Sequence, residues 1–201
     1  MLKKVFYLLF LFIAFLIIFS FLLLKINKNQ NIIEAPKTLK IKRDSKKTVG
    51  LTMFRGNATR NFYGTGPIPK NPEVIWQYPK TKPLCGSSSV AGVSKIWCGN
   101  GWTGQPVVWE RPDGITEVIF GAYDKAIHFL NAKTGENTRP SFKTGDIIKG
   151  SVSLDPDNFP LLYSGSRDNF FRIIALDREE PTELWKIEAK ITDGVWNNDW
   201  D

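Results

Sequence analysis

Val118-Ile119-Phe120-Gly121-Ala122-Tyr123-Asp124 is answered further along the chain by Leu161-Leu162-Tyr163-Ser164-Gly165-Ser166-Arg167-Asp168, and the two closing aspartates stand 44 positions apart. Each segment reads as a strand running into a tight turn. A second apolar run follows each, Ala126-Ile127-His128-Phe129-Leu130 and Phe170-Phe171-Arg172-Ile173-Ile174-Ala175-Leu176. Each run closes on a polar turn, at Asn131-Ala132-Lys133-Thr134-Gly135 and Asp177-Arg178-Glu179. Short strands repeating at this period mark stacked β units. One such unit cannot bury both faces of its sheet alone, so it packs on copies of itself.

Working outward, further strands are predicted at Glu73–Tyr78, Val90–Trp97, Gln105–Trp109, Glu117–Gly121, Ala126–Asn131, Pro140–Lys143, Lys149–Leu154, Pro160–Ser164, Phe170–Leu176 and Glu183–Glu188. Arg111-Pro112-Asp113-Gly114 and Asp155-Pro156-Asp157-Asn158 supply turn chemistry. Strands every 8–12 residues without helical periodicity after residue 25 predict an all-β domain. At four strands per blade, residues 51–201 make an incomplete β-propeller of about three four-stranded antiparallel sheets. Closing a ring of four to eight blades takes more chain. The run ends on Trp196-Asn197-Asn198-Asp199-Trp200-Asp201, aromatic residues poised to pack. The expectation is a fragment, or a protomer completed by further blades.

The first 24 residues are of another kind. Val5 to Leu24 carries no charge over 20 residues. As a helix it spans about 30 Å, the thickness of bilayer hydrocarbon. Lys3 and Lys4 precede it, and no small-x-small cleavage site follows Leu24. It reads as an uncleaved signal anchor, with a cleaved signal as the competing reading. Residues 25–50 form a Lys- and Asn-rich basic linker. Its lysines, counted alone, favour a cytoplasmic C-terminus. The signal-like start and the cysteines favour the opposite, and the expectation is a single-pass inner-membrane protein of bacterial type with a periplasmic domain.

The net charge of +7 sits unevenly. Residues 1–50 hold ten Lys and Arg against Glu34 and Asp44, whereas residues 51–201 hold 17 basic and 18 acidic residues. The globular part therefore lacks the basic excess that nucleic-acid binding requires. Cys85 and Cys98 are the only cysteines. An even count at hairpin-like spacing reads as one disulfide in an oxidising compartment, worth about 3 kcal/mol by loop closure, with two buried thiols as the alternative. His128, the single histidine, alternates with Ile127 and Phe129 and reads as a half-buried strand residue. Ser87-Ser88-Ser89 reads as a loop. No Gly-x-Ser-x-Gly elbow and no Walker-type phosphate loop is present. The Gly-rich stretch around Trp97, Asn100, Trp102 and Gln105 is a candidate recognition loop.

Phe120 to Glu136, with its Asp-Lys-Ala turn and Asn-Ala-Lys-Thr-Gly-Glu close, resembles the repeat of pyrroloquinoline-quinone (PQQ)-like β-propellers. Phe142-Lys143-Thr144-Gly145-Asp146 before Ser151-Val152-Ser153 resembles their passage between blades. Phe54-Arg55-Gly56-Asn57 leading to Val74-Ile75-Trp76 resembles their opening. The resemblance covers residues 51–190. No Gly-His or Trp-Asp pair stands where WD repeats carry one. The family implies Trp residues docking between neighbouring blades, here Trp76 and Trp185. Five residues after Thr134 the family's Trp is replaced by Arg139, which implies an atypical interface. The family's PQQ enzymes bind cofactor with an adjacent cysteine pair, calcium and a catalytic aspartate. This chain has no adjacent cysteines, and its Asp124, Asp168, Asp193 and Asp199 read as turn formers. No catalytic residue, metal ligand or cofactor is supported. The implied function is a membrane-tethered binding or scaffold module of the cell envelope, as in the lipoprotein scaffold of outer-membrane β-barrel assembly, although the lipid-attachment cysteine is missing. Its expected partners are envelope proteins. The alternative is the N-terminal part of a PQQ-dependent dehydrogenase, with PQQ and calcium.

Overall fold

The computed structural model describes residues 50–188 other than 63, 65, 91 and 101–103. The apolar run at 5–24, most of the basic linker, Trp102 and residues 189–201 lie outside the described residues. Among the described residues no helix is long and apolar enough to cross a membrane. The strands are β1 (Gly50–Leu51), β2 (Cys85–Val90), β3 (Val93–Cys98), β4 (Val107–Glu110), β5 (Thr116–Ala122), β6 (Ala126–Asn131), β7 (Phe142–Lys143), β8 (Ser153–Leu154), β9 (Leu161–Gly165), β10 (Phe170–Ala175) and β11 (Thr182–Glu188). One short 3-10 turn, Phe54–Gly56, is the only helix among them. The domain is all-β, and every strand pairing is antiparallel.

The strands form three sheets of five, four and two strands. In the first, β4 to β7 form a meander and β1 adds to the β4 edge. In the second, β8 to β11 form another meander, with an irregularity between Ile173 and Ile174. The two meanders repeat at the spacing seen in the sequence. β6 begins at Ala126 and β10 at Phe170, and each is entered through a residue of positive φ, Lys125 at 64° and Asn169 at 75°.

Period-two alternation decides what each face carries. On the first sheet Ile119 pairs with Phe129 and Gly121 with Ile127, all on one face. Phe120 with His128 and Val118 with Leu130 lie on the other. The first of these faces packs against the second sheet. Val107, Ile119, Ile127 and Phe129 meet Ile148, Val152, Leu154, Leu162, Ile174 and Leu176 in one buried cluster. Each such side chain stabilises by about 1.5–3 kcal/mol when fully buried. The sheets approach closely at Gly121, where an added Cβ would lie 2.2 Å from Ile148 Cγ2.

A buried ion pair crosses this same interface. Arg139 donates from Nε and Nη2 to the Glu117 carboxylate at 3.0 and 3.3 Å, and from Nη1 to the Leu176 carbonyl at 2.9 Å. Glu117 also accepts from Thr138 and from Arg111. The guanidinium lies over the rings of Phe129 and Trp109 at 5.5 and 6.0 Å.

The second face of the first sheet is covered by an extended strap, residues 72–84. Trp76, Tyr78 and Leu84 pack on Phe120, Ala122 and Leu130. Glu73–Tyr78 was expected to be a strand, and it is not one. Pro72, Pro79 and Pro83 punctuate it and donate no N–H, so it attaches through side chains instead of a backbone ladder. The single strand expected at Val90–Trp97 is instead the end of β2 and most of β3, which pair as a hairpin with a turn at Gly92. Ser87, Ser88 and Ser89 therefore lie in a strand, not in a loop. Cys85 and Cys98 face each other at the hairpin root and form a disulfide. The expected three four-stranded sheets are thus two four-stranded meanders, one extended by β1, plus this hairpin.

Gly121→Ala is expected to cost about 1–3 kcal/mol by overpacking against Ile148. In an Ile148→Ala background the added cost should shrink, as measured by urea unfolding. Equal costs in both backgrounds would contradict the close approach.

Candidate functional site

The strap and the covered face of the first sheet make the best-formed polar site among the described residues. His128 is placed on this face by the alternation of β6, and Asp124 by the turn four residues earlier. The imidazole is only 3% exposed. Its Nε2 lies 3.0 and 3.1 Å from the two Asp124 carboxylate oxygens. A carboxylate only accepts, so Nε2 carries a proton, and in the neutral ring Nδ1 is then an acceptor. Two hydroxyls converge on Nδ1, Tyr78 Oη at 3.0 Å and Ser141 Oγ at 3.1 Å. Phe120 stacks on the ring at 5.3 Å between centroids, and Tyr78 tilts over it at 5.4 Å. Exposed Lys143 stands 3.9 Å from Asp124.

Burial pushes the Tyr78 phenol above its ordinary 10.0, the Asp124 charge adds to that, and a hydrogen bond with Asn137 partly opposes it. Tyr78 therefore stays a neutral donor at physiological pH. Ser141, His128 and Asp124 form a hydroxyl–imidazole–carboxylate chain, but its chemistry is that of a clasp. Two hydroxyls share one lone pair, and the ring is sealed under Tyr78. The network fastens the strap to the sheet. His128, expected to be half-buried, is buried, because the strap lies over it.

Beside the clasp is a groove of about 380 Å³, lined by the strap from Gln77 to Leu84 with Gly99, Asn100 and Phe120. Its wall carries Lys80 and Lys82. Of the predicted recognition loop, Asn100 lines this groove. Trp97 packs edge-on against Tyr123 at 6.0 Å, with its indole nitrogen buried and unpartnered among the described residues. Gln105 is a staple: its amide oxygen accepts from the Arg55 backbone N–H and its own N–H donates to Ser151, both at 2.9 Å. Trp102 lies outside the described residues, so the structure brings no more of that loop together.

The two predicted docking tryptophans occupy different surroundings. Trp76 donates from Nε1 to the Ala132 carbonyl at 2.8 Å. Its indole lies on the turn at Gly135, where φ is 69° and a Cβ would come within 2.7 Å of the ring. Only glycine meets both conditions. Trp185 sits half-buried on β11, directly opposite Ile173. Asp168 repeats the arrangement of Asp124. Its carboxylate holds Arg172, four residues on, at 2.5 and 2.9 Å, and accepts from the Gly145 and Phe170 backbone N–H groups. Those hydrogen bonds and the Arg172 charge hold its carboxyl below the usual range despite burial. Asp193 and Asp199 lie outside the described residues. Among the described residues no group of three or more His, Cys, Asp or Glu is placed to share a metal ion.

Sequence reasoning singled out His128 and Trp76 but missed Tyr78 and Ser141 as partners of the histidine. The available signal was the equivalence of Asp124/His128 with Asp168/Arg172, which marks a bonded pair at one turn of each repeat. No protein-family model matches the chain, and no curated protein matches it.

Tyr78 is the handle for a test. Its raised pKa means the folded state holds the phenolic proton more tightly, so its contribution is full below about pH 10 and is lost as pH rises through the folded value. Tyr78→Phe is expected to cost about 0.5–1.5 kcal/mol near neutrality. The variant should then lose less further stability than the wild type on alkaline titration, since among the described residues only Tyr163 retains a raised phenol of the same kind. Denaturant midpoints measured against pH check this, and parallel curves would contradict the clasp.

Proposed function

We propose that the chain is a membrane-tethered, extracytoplasmic binding or scaffold module of the cell envelope, built from PQQ-like propeller blades. The observation that carries this reading is the stacking of two four-stranded meanders whose turns and ion pairs recur at one spacing, Asp124/His128 in one and Asp168/Arg172 in the other. Stacked repeats create extended surfaces that can bind partners. The disulfide supports an oxidising compartment. The uncharged run at residues 5–24 supplies the tether in this reading.

The clasp supports a binding role over catalysis. It closes the imidazole away and leaves the groove at Asn100, Lys80 and Lys82 as the polar recess beside it. A partner offering acidic or amide groups fits that wall. Exposed Val74 and Ile75 on the strap add apolar surface nearby.

Two readouts on the full chain test the reading. A reporter that works only after export, fused after Asp201, is expected to be active, and activity of a cytoplasm-only reporter would overturn the location. The detergent-solubilised chain is expected to take up no PQQ saturably in the presence of calcium. Saturable uptake with dye-linked alcohol or sugar oxidation would favour the dehydrogenase instead.

A further inference from the structure

We propose that the face of the second sheet turned away from the first is a docking surface, and that residues 190–198 of this same chain occupy it. The proposal rests on the stacked-repeat part of the reading above. It begins from how the first sheet is covered. There, the chain leaving β7 runs through residues 144–152 toward the second sheet and lays Ile148 into the recess at Gly121. The Ile148 N–H donates to the Ala122 carbonyl at 3.1 Å, which fixes the segment to the sheet. Ile119, Ile127 and Phe129 are thereby fully buried.

At the repeat spacing, Gly165 stands for Gly121, Tyr163 for Ile119, Phe171 for Ile127 and Ile173 for Phe129. These residues make the same face of the second sheet, with Trp185 and Ile187 opposite Ile173 and Phe171 on β11. All of them are only half-buried. Where the first sheet has Ile148 in its recess, the second has an open groove of about 400 Å³ at Gly165, Tyr163, Phe171 and Ser153. Tyr163 and Phe171 stack along its floor at 6.4 Å between centroids. The groove is apolar and matches in kind the hole that the first sheet fills.

The chain carries a related segment at the same place. Leaving β11, the sequence Lys190-Ile191-Thr192-Asp193-Gly194-Val195-Trp196 stands 44 residues after Asp146-Ile147-Ile148-Lys149-Gly150-Ser151-Val152 and shares two identities with it, Ile191 at Ile147 and Gly194 at Gly150. Thr192 falls at Ile148, so the apolar side chains on offer are Ile191, Val195 and Trp196, the last at the position of Val152, which lies in the buried cluster. A second copy of the chain is a poorer occupant. Sheet-on-sheet stacking is head-to-tail here, so a copy would have to offer the second face of its first sheet, and the strap already covers that face.

Hydroxyl-radical footprinting of the detergent-solubilised full chain, read by mass spectrometry at Tyr163, Phe171 and Trp185, tests the proposal. Modification at these three residues should rise severalfold in Trp196→Asp, in Ile191→Asp, and in a chain ending at residue 189. Buried Tyr123 reports that the rest of the fold is intact, and the point variants serve if the truncated chain fails that control. Equal modification in the full chain and the variants would overturn the proposal. So would protection that survives the variants and grows with protein concentration, which is the mark of a second copy. A failed export or PQQ test leaves this footprint unchanged, so the two readings fall separately.

Discussion

The buried carboxylate of Glu117 constrains the whole domain. A carboxylate with no exposed surface is tolerated only when its charge and lone pairs are matched. Arg139 supplies the charge, and Thr138 and Arg111 complete the hydrogen bonding. The third nitrogen of the guanidinium, Nη1, donates to the Leu176 carbonyl just past the end of β10. The ion pair therefore fixes the second sheet against the first as well as neutralising Glu117. Hydrophobic burial at the same interface is larger in sum but non-directional. The guanidinium fork supplies direction, and its contacts with Phe129 and Trp109 let it share the space of an aromatic dock.

With the interface set, the other features follow as ways to cover what remains. The second face of the first sheet needs a lid, and the strap provides it through Trp76 on Gly135 and Tyr78 on His128. The disulfide hairpin lies against the turns of both sheets. Ser88 donates to Asp146, Arg167 donates to the Ser89 carbonyl, and Gly86 approaches the Tyr123 carbonyl so closely that a Cβ would lie 2.1 Å from it. The hairpin also carries exposed Val90, Val93 and Ile96. The groove beside Asn100 forms where strap and hairpin meet, which is why neither element alone encodes it.

The repeated strands were legible because period-two alternation and turn residues agree locally. β6 falls where its pattern put it, and β5, β9, β10 and β11 lie within a residue or two of theirs. The strap was misread for a physical reason. Val74-Ile75-Trp76 has strand composition, but composition records apolar side chains and not whether the backbone finds a ladder. Ser87-Ser88-Ser89 erred the other way, since small polar residues favour turns, and what holds these in a sheet is pairing with β3, the disulfide at the hairpin root and hydrogen bonds to residues distant in sequence. At the site, single residues were readable and their partners were not. Tyr78 lies 50 positions from His128 and meets it only once the strap crosses the sheet, and Ser141 reaches it from the chain beyond β6. Arg139 was marked as a departure, but its role required Leu176 to be placed.

The most direct measurement is a double-mutant cycle on the ion pair, with Glu117→Gln, Arg139→Met and their combination followed by urea unfolding. Each single change is expected to cost about 3–5 kcal/mol, because it strands a buried charge or its donors. The combined change should cost clearly less than the sum. Single costs below about 1 kcal/mol that add to within about 0.5 kcal/mol would contradict the account, since they would describe an exposed pair with no part in holding the sheets together.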